Sequence, residues 1–206
     1  MSTLATLPPP PVESTETAGT TVRPSKYAVY PCRADLMPQG EVILPGIWKR
    51  LHDEKIFGMF FHDRPDITFG QFVNALSVLT EKVEVICELD DDGVIVDSAA
   101  LTILTQIMVT PLIKRAIGNF LLFRKYWNGD DSIDIGRIGL RHWFTDFGLD
   151  IIVGTTPKLN RAALAYVHRL GFTSIGEIPD FASYKGQKCP TIISHLTKAE
   201  WERLNG

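Results

Sequence analysis

The sequence predicts an α/β fold in which strands and helices alternate, and three patterns carry this prediction. In residues 82–89 every second side chain is apolar, and Glu84 and Glu88 lie between these positions, as in a strand with one buried face. Residues 149–153 (LDIIV) form a continuous apolar run directly after a helical pattern, which is typical of a buried parallel strand. Residues 68–71 (TFGQ) and 197–200 (TKAE) have the spacing of capping boxes, which begin helices.

Composition narrows the function classes. The chain has 206 residues, of which 45% are hydrophobic and 22% are charged, and this fits one globular domain with or without a tail. The net charge of −3 leaves no basic excess for nucleic acid phosphates. No apolar run reaches the roughly 18 residues of a membrane span, and the N-terminus lacks the pattern of a secretory signal. We therefore expect a cytoplasmic protein that binds neither nucleic acid nor membranes.

The cysteines and histidines predict neither a disulfide framework nor a metal site. Cys32, Cys87 and Cys189 are far apart and lack a CxxC spacing, so we expect reduced thiols. The five histidines lack the paired spacing of metal ligands.

Residues 1–26 predict a disordered tail that precedes a domain at 27–206. The segment contains Pro8–Pro11 and many Ser, Thr and Glu residues, and its apolar residues are sparse. Such a composition cannot offset the entropy of ordering, although the prolines favour a short polyproline II stretch. The tail is either a docking arm for a virion or other protein partner, or a solvated leader.

The first half of the domain predicts strands around two helices. Residues 27–32 indicate a short strand, and a helical pattern runs from Leu44 to about Lys55. The helix after the first capping box places four apolar residues on one face, namely Phe72, Val73, Leu76 and Leu79.

A hairpin follows these helices. In the strand at 82–89 we expect Glu84 and Glu88 to face solvent, opposite a buried apolar face. Residues 90–93 (DDDG) predict a turn into a returning strand at 94–108. The three aspartates could suggest calcium, but the rest of an EF-hand loop is absent, which favours a solvated turn.

The second half predicts a strand at 118–127, a turn from Asn128, and a helix that Gly148 ends. The strand at 149–153 leads to a helix that Asn160 caps and Gly171 ends. Strands at 172–178 and 191–196 and a short C-terminal helix complete the pattern.

The most specific stretch is 148–172, GLDIIVGTTPKLNRAALAYVHRLGF. It contains a helix-ending glycine, a strand, a Pro turn, an Asn-x-x-Ala cap and a Leu-Gly-Phe ending. The residues that carry this pattern are Pro157, Asn160, Ala163, Leu170, Gly171 and Phe172. This pattern resembles the GNAT N-acetyltransferase superfamily, and the wider resemblance covers about 83–196.

The resemblance implies a mixed, mostly antiparallel central sheet with a splayed parallel strand pair, flanked by helices. The splayed strands would be 118–127 and 149–153, and the gap between them would hold the pantetheine arm of acetyl-CoA. The loop at 128–133 would take the pyrophosphate at a helix N-terminus. The implied cofactor-binding residues are Lys125, Tyr126, Trp127, Asn128, Gly129, Ser132, Ile133 and Asn160.

The cofactor loop departs from the family pattern. The family has an Arg/Gln-x-x-Gly-x-Gly/Ala loop, whereas this segment has one glycine and carries Asp130 and Asp131. Like charges repel by roughly 1 kcal/mol at 4 Å in water, so the two aspartates oppose a diphosphate. The segment 115–118 matches Arg-x-x-Gly and is an alternative loop, but it lies too far from Gly148.

The catalytic residues are also only partly matched. The family's general-acid tyrosine aligns with Val167, and Tyr166 is one position away, about 100° around the helix. Tyr166 is therefore either the acid or a packing residue. The candidate general bases are Glu88, Asp97, His62 and His142. Glu88, at the strand edge of the expected cleft, is the most attractive of these bases, and the alternative is a solvent-facing strand carboxylate.

These features lead to three hypotheses. The first is an N-acyltransferase that moves an acetyl group from acetyl-CoA to an amine on a small molecule or protein. The second is a catalytically degenerate GNAT-fold module that binds a partner. A looser resemblance to GNAT-like proteins of bacteriophages supports it and implies a location in the host cytoplasm or virion. The third is an ordinary α/β domain with a chance motif.

Overall fold

The computed structural model describes residues 26–32, 39–57, 67–78 and 82–205. In these ranges, one seven-stranded sheet has the strand order β1-β2-β3-β4-β5-β7-β6. The strands are β1 (Tyr27–Pro31), β2 (Lys82–Leu89), β3 (Ile95–Val109), β4 (Lys114–Leu122), β5 (Ile151–Pro157), β6 (Thr173–Tyr184) and β7 (Gln187–Thr197). Among the strand pairs of the described ranges, only the β4–β5 pair is parallel. The predicted mixed, mostly antiparallel sheet is confirmed.

Five α-helices flank the sheet within the described ranges. They are α1 (Gln39–Asp53), α2 (Phe69–Val78), α3 (Asp130–Arg141), α4 (Arg161–Arg169) and α5 (Lys198–Asn205). Both capping boxes are confirmed. The Thr68 Oγ1 accepts from the Gln71 amide at 3.3 Å, and the Gln71 side chain accepts from the Thr68 amide at 2.8 Å. Thr197 and Glu200 make the same reciprocal pair at 3.2 and 3.0 Å.

The strand β2 is buried on both faces, so the prediction of a half-buried strand is wrong. Glu84 and Glu88 are only 2% and 9% exposed. One face of β2 packs with α1 and α2 in a core cluster that includes Val83 and Val85. On the other face, α3 packs closely against β2 at Gly139. A Cβ at this position would meet the Ile86 side chain. A helix therefore covers the face that the acidic residues would have given to solvent.

A second core cluster lies between α3, α4 and the C-terminal half of the sheet. Its central members are Leu140, Trp143, Phe144, Leu149, Ile152, Leu170, Phe172 and Leu196. The helix α3 continues into one π-helical turn at His142–Asp146, and Gly148 follows with a φ of 70°. Gly148 thus ends the helix as predicted, since this left-handed conformation favours glycine.

Several predicted boundaries are wrong. The predicted strand at 118–127 is β4, which spans Lys114–Leu122 and precedes a 3₁₀ turn at Arg124–Tyr126. The segment before it forms the β3–β4 turn, in which the Ile113 amide donates to the Thr110 Oγ1 at 3.0 Å. The helix α1 begins at Gln39, before the predicted Leu44.

Some predictions fall outside the described residues: the tail at 1–25, the candidate base His62 and the apolar residue Leu79. No helix in the described ranges is long and apolar enough to span a membrane. All three cysteines are buried and unpaired. Burial raises the pKa of the Cys32 and Cys87 thiols to about 11 and about 12.

Candidate functional site

The parallel strands β4 and β5 pair only near their first residues and then separate. Three residue pairs join them: Arg115–Ile151, Ala116–Ile152 and Ile117–Val153. Residues 118–122 of β4 then pair only with β3, and residues 154–157 of β5 pair only with β7. We call the space between these two segments the strand gap. The splayed pair expected from the resemblance is present, with shifted boundaries.

Hydrogen-bond alternation shows which main-chain groups of β4 point into the strand gap. The Phe123 amide donates to the Ala99 carbonyl beyond the end of the β3–β4 register, at 3.1 Å. Since successive residues of a strand direct their N–H and C=O groups to opposite sides, Leu121 also points to β3. The same alternation directs the groups of Gly118, Phe120 and Leu122 into the gap.

The opposite edge of the strand gap belongs to β5. The Lys158 amide donates to the Pro190 carbonyl of β7 at 2.8 Å, one position beyond β5. By alternation, Gly154 and Thr156 point to β7, whereas Thr155 points into the gap. Polar main-chain groups thus border the strand gap on both sides, and an extended amide-containing ligand could pair with them as an added strand does.

Gly118 is closely packed at the base of the strand gap. A Cβ on Gly118 would lie 2.7 Å from the Trp143 ring and 2.8 Å from the Ile152 side chain, so only glycine fits without a shift. Trp143 is fully buried and also packs on Phe120, with ring centroids 4.6 Å apart. The tryptophan after α3 therefore lies against β4 where β4 leaves β5.

The side chain of Trp127 already uses one main-chain group of the strand gap. Its indole Nε1 donates to the Leu122 carbonyl at 2.7 Å. The Arg124 guanidinium lies 4.8 Å from the centre of the Trp127 ring. Trp127 is 40% exposed, so this contact is at the surface end of the gap. The structure thus brings one predicted cofactor-binding residue to the gap, as a hydrogen-bond donor to β4.

The turn after β4 is anchored by a carboxylate pair. The Lys125 Nζ lies 2.7 Å from Glu88 and 3.2 Å from Asp97. The Tyr126 hydroxyl lies 2.5 Å from the same Glu88 oxygen and 2.9 Å from Asp97. We call these four residues the carboxylate clamp. Its contacts hold the side chains of Lys125 and Tyr126 on β2 and β3.

The clamp makes Glu88 a weak base. Hydrogen bonds from Lys125, Tyr126 and Lys26 lower the pKa of Glu88 to about 2. A general base works best when its pKa lies near the operating pH, and Glu88 lies far below it. For Asp97, burial would raise the pKa, but Tyr126, Arg50 and Lys125 outweigh it and lower the pKa. The structure therefore supports a positioning role for both carboxylates.

The predicted pyrophosphate segment at 128–133 is mostly helical. Gly129, with a φ of 97°, is the N-cap of α3, and its carbonyl accepts from the Ser132 hydroxyl at 2.8 Å. Asn128 is exposed next to it, and Ile133 is buried. Asp130 and Asp131 form the first turn, where the helix dipole stabilises negative charge. They favour the helix but oppose an anionic ligand at the same place.

The two predicted residues of the α4 region have defined local contacts. The Asn160 side chain accepts from the Ala163 amide at 3.2 Å, which confirms its predicted capping role. The Tyr166 hydroxyl donates to the Ser132 carbonyl of α3 at 3.0 Å. Burial raises the pKa of Tyr166. Tyr166 therefore bridges α4 to the first turn of α3, next to the loop that leads from β4.

A second buried carboxylate network was not predicted from the sequence. Glu84 accepts from His142 Nε2 at 2.7 Å and Trp143 Nε1 at 3.1 Å, and Lys82 lies 2.9 Å away. The His142 Nδ1 lies 2.7 Å from Asp146. Hydrogen bonding to Glu84 raises the pKa of His142, and contacts with Glu84 and Asp146 engage both ring nitrogens. The alternation in β2 carried no signal that a histidine following α3 would meet Glu84.

No group of three or more His, Cys, Asp or Glu side chains could hold a metal ion in the part of the chain that the structure describes.

Comparison with solved structures relates this geometry to known proteins. No protein-family model matches the sequence. A spermidine N-acetyltransferase from Vibrio cholerae, solved in complex with CoA and spermine, superposes with a TM-score of 0.65 at 13% identity. The match covers 86% of this chain and 98% of that protein. A putative phosphinothricin N-acetyltransferase matches with a TM-score of 0.58 at 16% identity, over 83% and 98% of the two chains. These likenesses establish the GNAT acetyltransferase fold.

Proposed function

We propose that this chain binds acetyl-CoA in the strand gap and transfers its acetyl group to an amine on a small molecule or a protein. The observation that carries the proposal is the strand gap itself, bordered by the gap-facing main-chain groups of Gly118, Phe120 and Thr155. An acetyl-CoA arm contains amides that can pair with such groups. The fold similarity to an enzyme solved with CoA and spermine supports the choice of both ligands.

The described residues fit the arm of acetyl-CoA better than its diphosphate. The gap edge supplies donors and acceptors in alternation, which an extended amide chain requires. Near the start of α3, the main-chain amides of Lys125, Asn128 and Gly129 are the candidate contacts for the diphosphate. The carboxylate clamp holds the side chains of Lys125 and Tyr126, and the amides of Tyr126 and Trp127 donate to the Phe123 and Arg124 carbonyls. Asp130 and Asp131 reduce affinity there. We therefore expect weak binding that depends mainly on the arm.

In the proposed reaction, acetyl-CoA supplies an activated thioester, and the amine nitrogen attacks its carbonyl carbon. The new C–N bond forms, the C–S bond breaks, and the electron pair leaves on sulfur. The amine arrives neutral and loses one proton to water after it attacks, since Glu88 has a pKa of about 2 and both ring nitrogens of His142 are engaged by Glu84 and Asp146. Tyr166 is the candidate donor to the departing thiolate, after its hydroxyl leaves the Ser132 carbonyl, and the resulting tyrosinate then recovers a proton from water.

Calorimetry with acetyl-CoA and with acetyl-pantetheine, which lacks the nucleotide diphosphate, tests the proposal. We expect both ligands to bind. The affinity for acetyl-CoA should exceed that for acetyl-pantetheine by less than a well-formed diphosphate site would give. Turnover is then followed by thiol release with an amine panel that includes spermine. The proposal is rejected if neither acetyl-CoA nor acetyl-pantetheine binds at millimolar concentration.

A second candidate function, a binding module without catalysis, is favoured by the two aspartates at the first turn of α3 and by the engaged Tyr166 hydroxyl. In this case the chain would bind a protein partner, as the looser phage resemblance suggests. Binding of acetyl-CoA without any thiol release, together with stoichiometric recovery from purified phage particles, would select this candidate. Turnover by the free protein would exclude it.

A further inference from the structure

A groove of about 410 Å³ lies between α3 and α5, away from the strand gap. Its walls are Arg137, Ile138 and Arg141 of α3 and Trp201, Leu204 and Asn205 of α5. Leu204 is 47% exposed. Arg137 makes one ion pair, at 3.8 Å from Asp134 on the same helix, and Arg141 makes none within the described ranges. The groove therefore combines two available cations with one aromatic and two aliphatic side chains.

The charge along α3 changes sign toward this groove. Residues spaced by three or four share one stripe of a helix, and here the stripe is Asp131, Asp134, Ile138 and Arg141. Arg137 lies beside it. The acidic half of the stripe is at the helix N-terminus, and the basic half borders the groove.

The chain enters the fold at the acidic end of this stripe. The Lys26 Nζ lies 3.8 Å from Asp131, and residues 1–25 precede it. Followed outward from the fold, this N-terminal segment contains Lys26 and Arg23, then Glu16 and Glu13, then Pro8–Pro11. Two cations are thus followed by two carboxylates and an apolar stretch. The order of signs is complementary to that along α3.

We propose that the N-terminal segment docks along α3 and fills the groove between α3 and α5. Glu13 and Glu16 pair with the groove arginines, and the four prolines pack on Trp201 and Leu204. Polyproline II segments suit such a site because their rigid shape lets them dock in aromatic-lined grooves at low entropic cost. The Trp201 ring packs against the Phe144 ring, and their centroids lie 5.6 Å apart.

The segment has the length that this placement requires. A random-coil chain of ~14 residues, the number that separates Lys26 from Val12, has a typical end-to-end distance of roughly 20 Å. The helix α3 advances about 15 Å from Asp131 to Arg141 at 1.5 Å per residue. Because the linker length matches the span, the tethered segment is present at a high effective concentration. The N-terminal segment of the same chain is thus favoured over a separate partner.

Contact quenching of a dye by tryptophan tests the docking in the full-length protein. Val12→Cys introduces a thiol for the dye, and the three native cysteines are buried, so labelling is selective. We expect the dye emission to be quenched severalfold and to recover in Trp201→Phe. This substitution removes no hydrogen bond found in the described residues, since the Trp201 Nε1 has no partner among them. Trp127→Phe is the matched control and should leave the quenching unchanged.

Charge reversal tests the docking independently of the aromatic contact. Arg137→Glu with Arg141→Glu should restore the emission, and adding Glu13→Arg with Glu16→Arg should quench it again. Far-UV circular dichroism verifies that each variant is folded. Quenching that persists in Trp201→Phe, or that the reversed arginines leave intact, overturns the proposal. Quenching that rises with protein concentration overturns it too, since the groove would then hold the segment of a second copy.

Discussion

At the residue scale, Trp127 and the proposed ligand compete for one acceptor. The indole N–H bonds the Leu122 carbonyl, which alternation directs into the strand gap. Binding of an extended arm along all of β4 requires this contact to break. The indole therefore limits how far along β4 a ligand pairs.

Trp127→Phe removes the indole N–H and keeps an aromatic ring. A neutral hydrogen bond contributes about 1 kcal/mol, so we expect acetyl-CoA to bind about fivefold more tightly. Calorimetry measures the change, and Trp201→Phe, far from the gap, serves as the control. Equal or weaker binding by Trp127→Phe would show that the Leu122 carbonyl is not used.

Glu88 makes the stability of the protein depend on pH. Its pKa falls from an ordinary 4.5 to about 2 in the folded chain. The contribution is therefore complete above pH 4.5 and is lost as the pH falls toward 2. Glu88→Gln should lower the free energy of unfolding at pH 7 by about 1–3 kcal/mol, allowing for the half-exposed lysines. Urea unfolding at pH 7, 4.5 and 3 measures both curves, and parallel acid losses in both proteins would contradict the assignment.

At the element scale, the two aspartates in the first turn of α3 stabilise the helix but weaken the binding of an anion there. Asp130→Asn with Asp131→Asn should lose about 0.3–1 kcal/mol of stability by removing charges that favour the helix dipole. The same change should raise acetyl-CoA affinity about fivefold or more, because each aspartate near a phosphate costs roughly 1 kcal/mol. Calorimetry compares this variant with Asp134→Asn, whose charge is one turn further along. Equal gains in both variants would indicate only a change of net charge.

The base of the strand gap depends on one glycine. Gly118→Ala places a methyl group within 3 Å of Trp143 and Ile152, which should cost about 1–3 kcal/mol of unfolding free energy. Gly154→Ala is the matched control on β5, because its Cβ would lie 3.9 Å from the nearest atom. Urea unfolding measures both. A Gly118→Ala variant as stable as Gly154→Ala would show that Trp143 moves freely.

Sequence patterns identified most elements but not their surroundings. Capping boxes and glycines are local signals, so Thr68, Thr197, Asn160 and Gly148 were placed correctly. The turn at Thr110–Ile113 has no glycine to mark its end, so the predicted start of β4 lies four residues too late. The buried Glu84 could not be predicted because its partners come from the end of α3, at distant sequence positions. The contacts of Trp127 and Tyr126 likewise depend on how the chain turns after β4.

At the scale of the whole molecule, three residue pairs join the β1–β4 half of the sheet to the β5–β7 half. A ligand in the strand gap should protect main-chain amides that have no partner across it. We expect acetyl-CoA to slow hydrogen exchange at Phe120 and Thr155. Leu121, whose amide points to β3, is the internal control and should not change. NMR-detected exchange with and without ligand measures this, and equal protection at Phe120 and Leu121 would contradict the proposed binding mode.

The short junction of three residue pairs between the half-sheets affects how such a protein can diversify. The side chains of Trp143 and Ile152 pack against Gly118 at the junction, beside the three main-chain pairs that join the two half-sheets. We expect that a larger side chain at one of these positions and a smaller one at the other would widen or narrow the opening and leave every strand in register. Selectivity for longer or shorter acyl donors could thus evolve inside an unchanged scaffold.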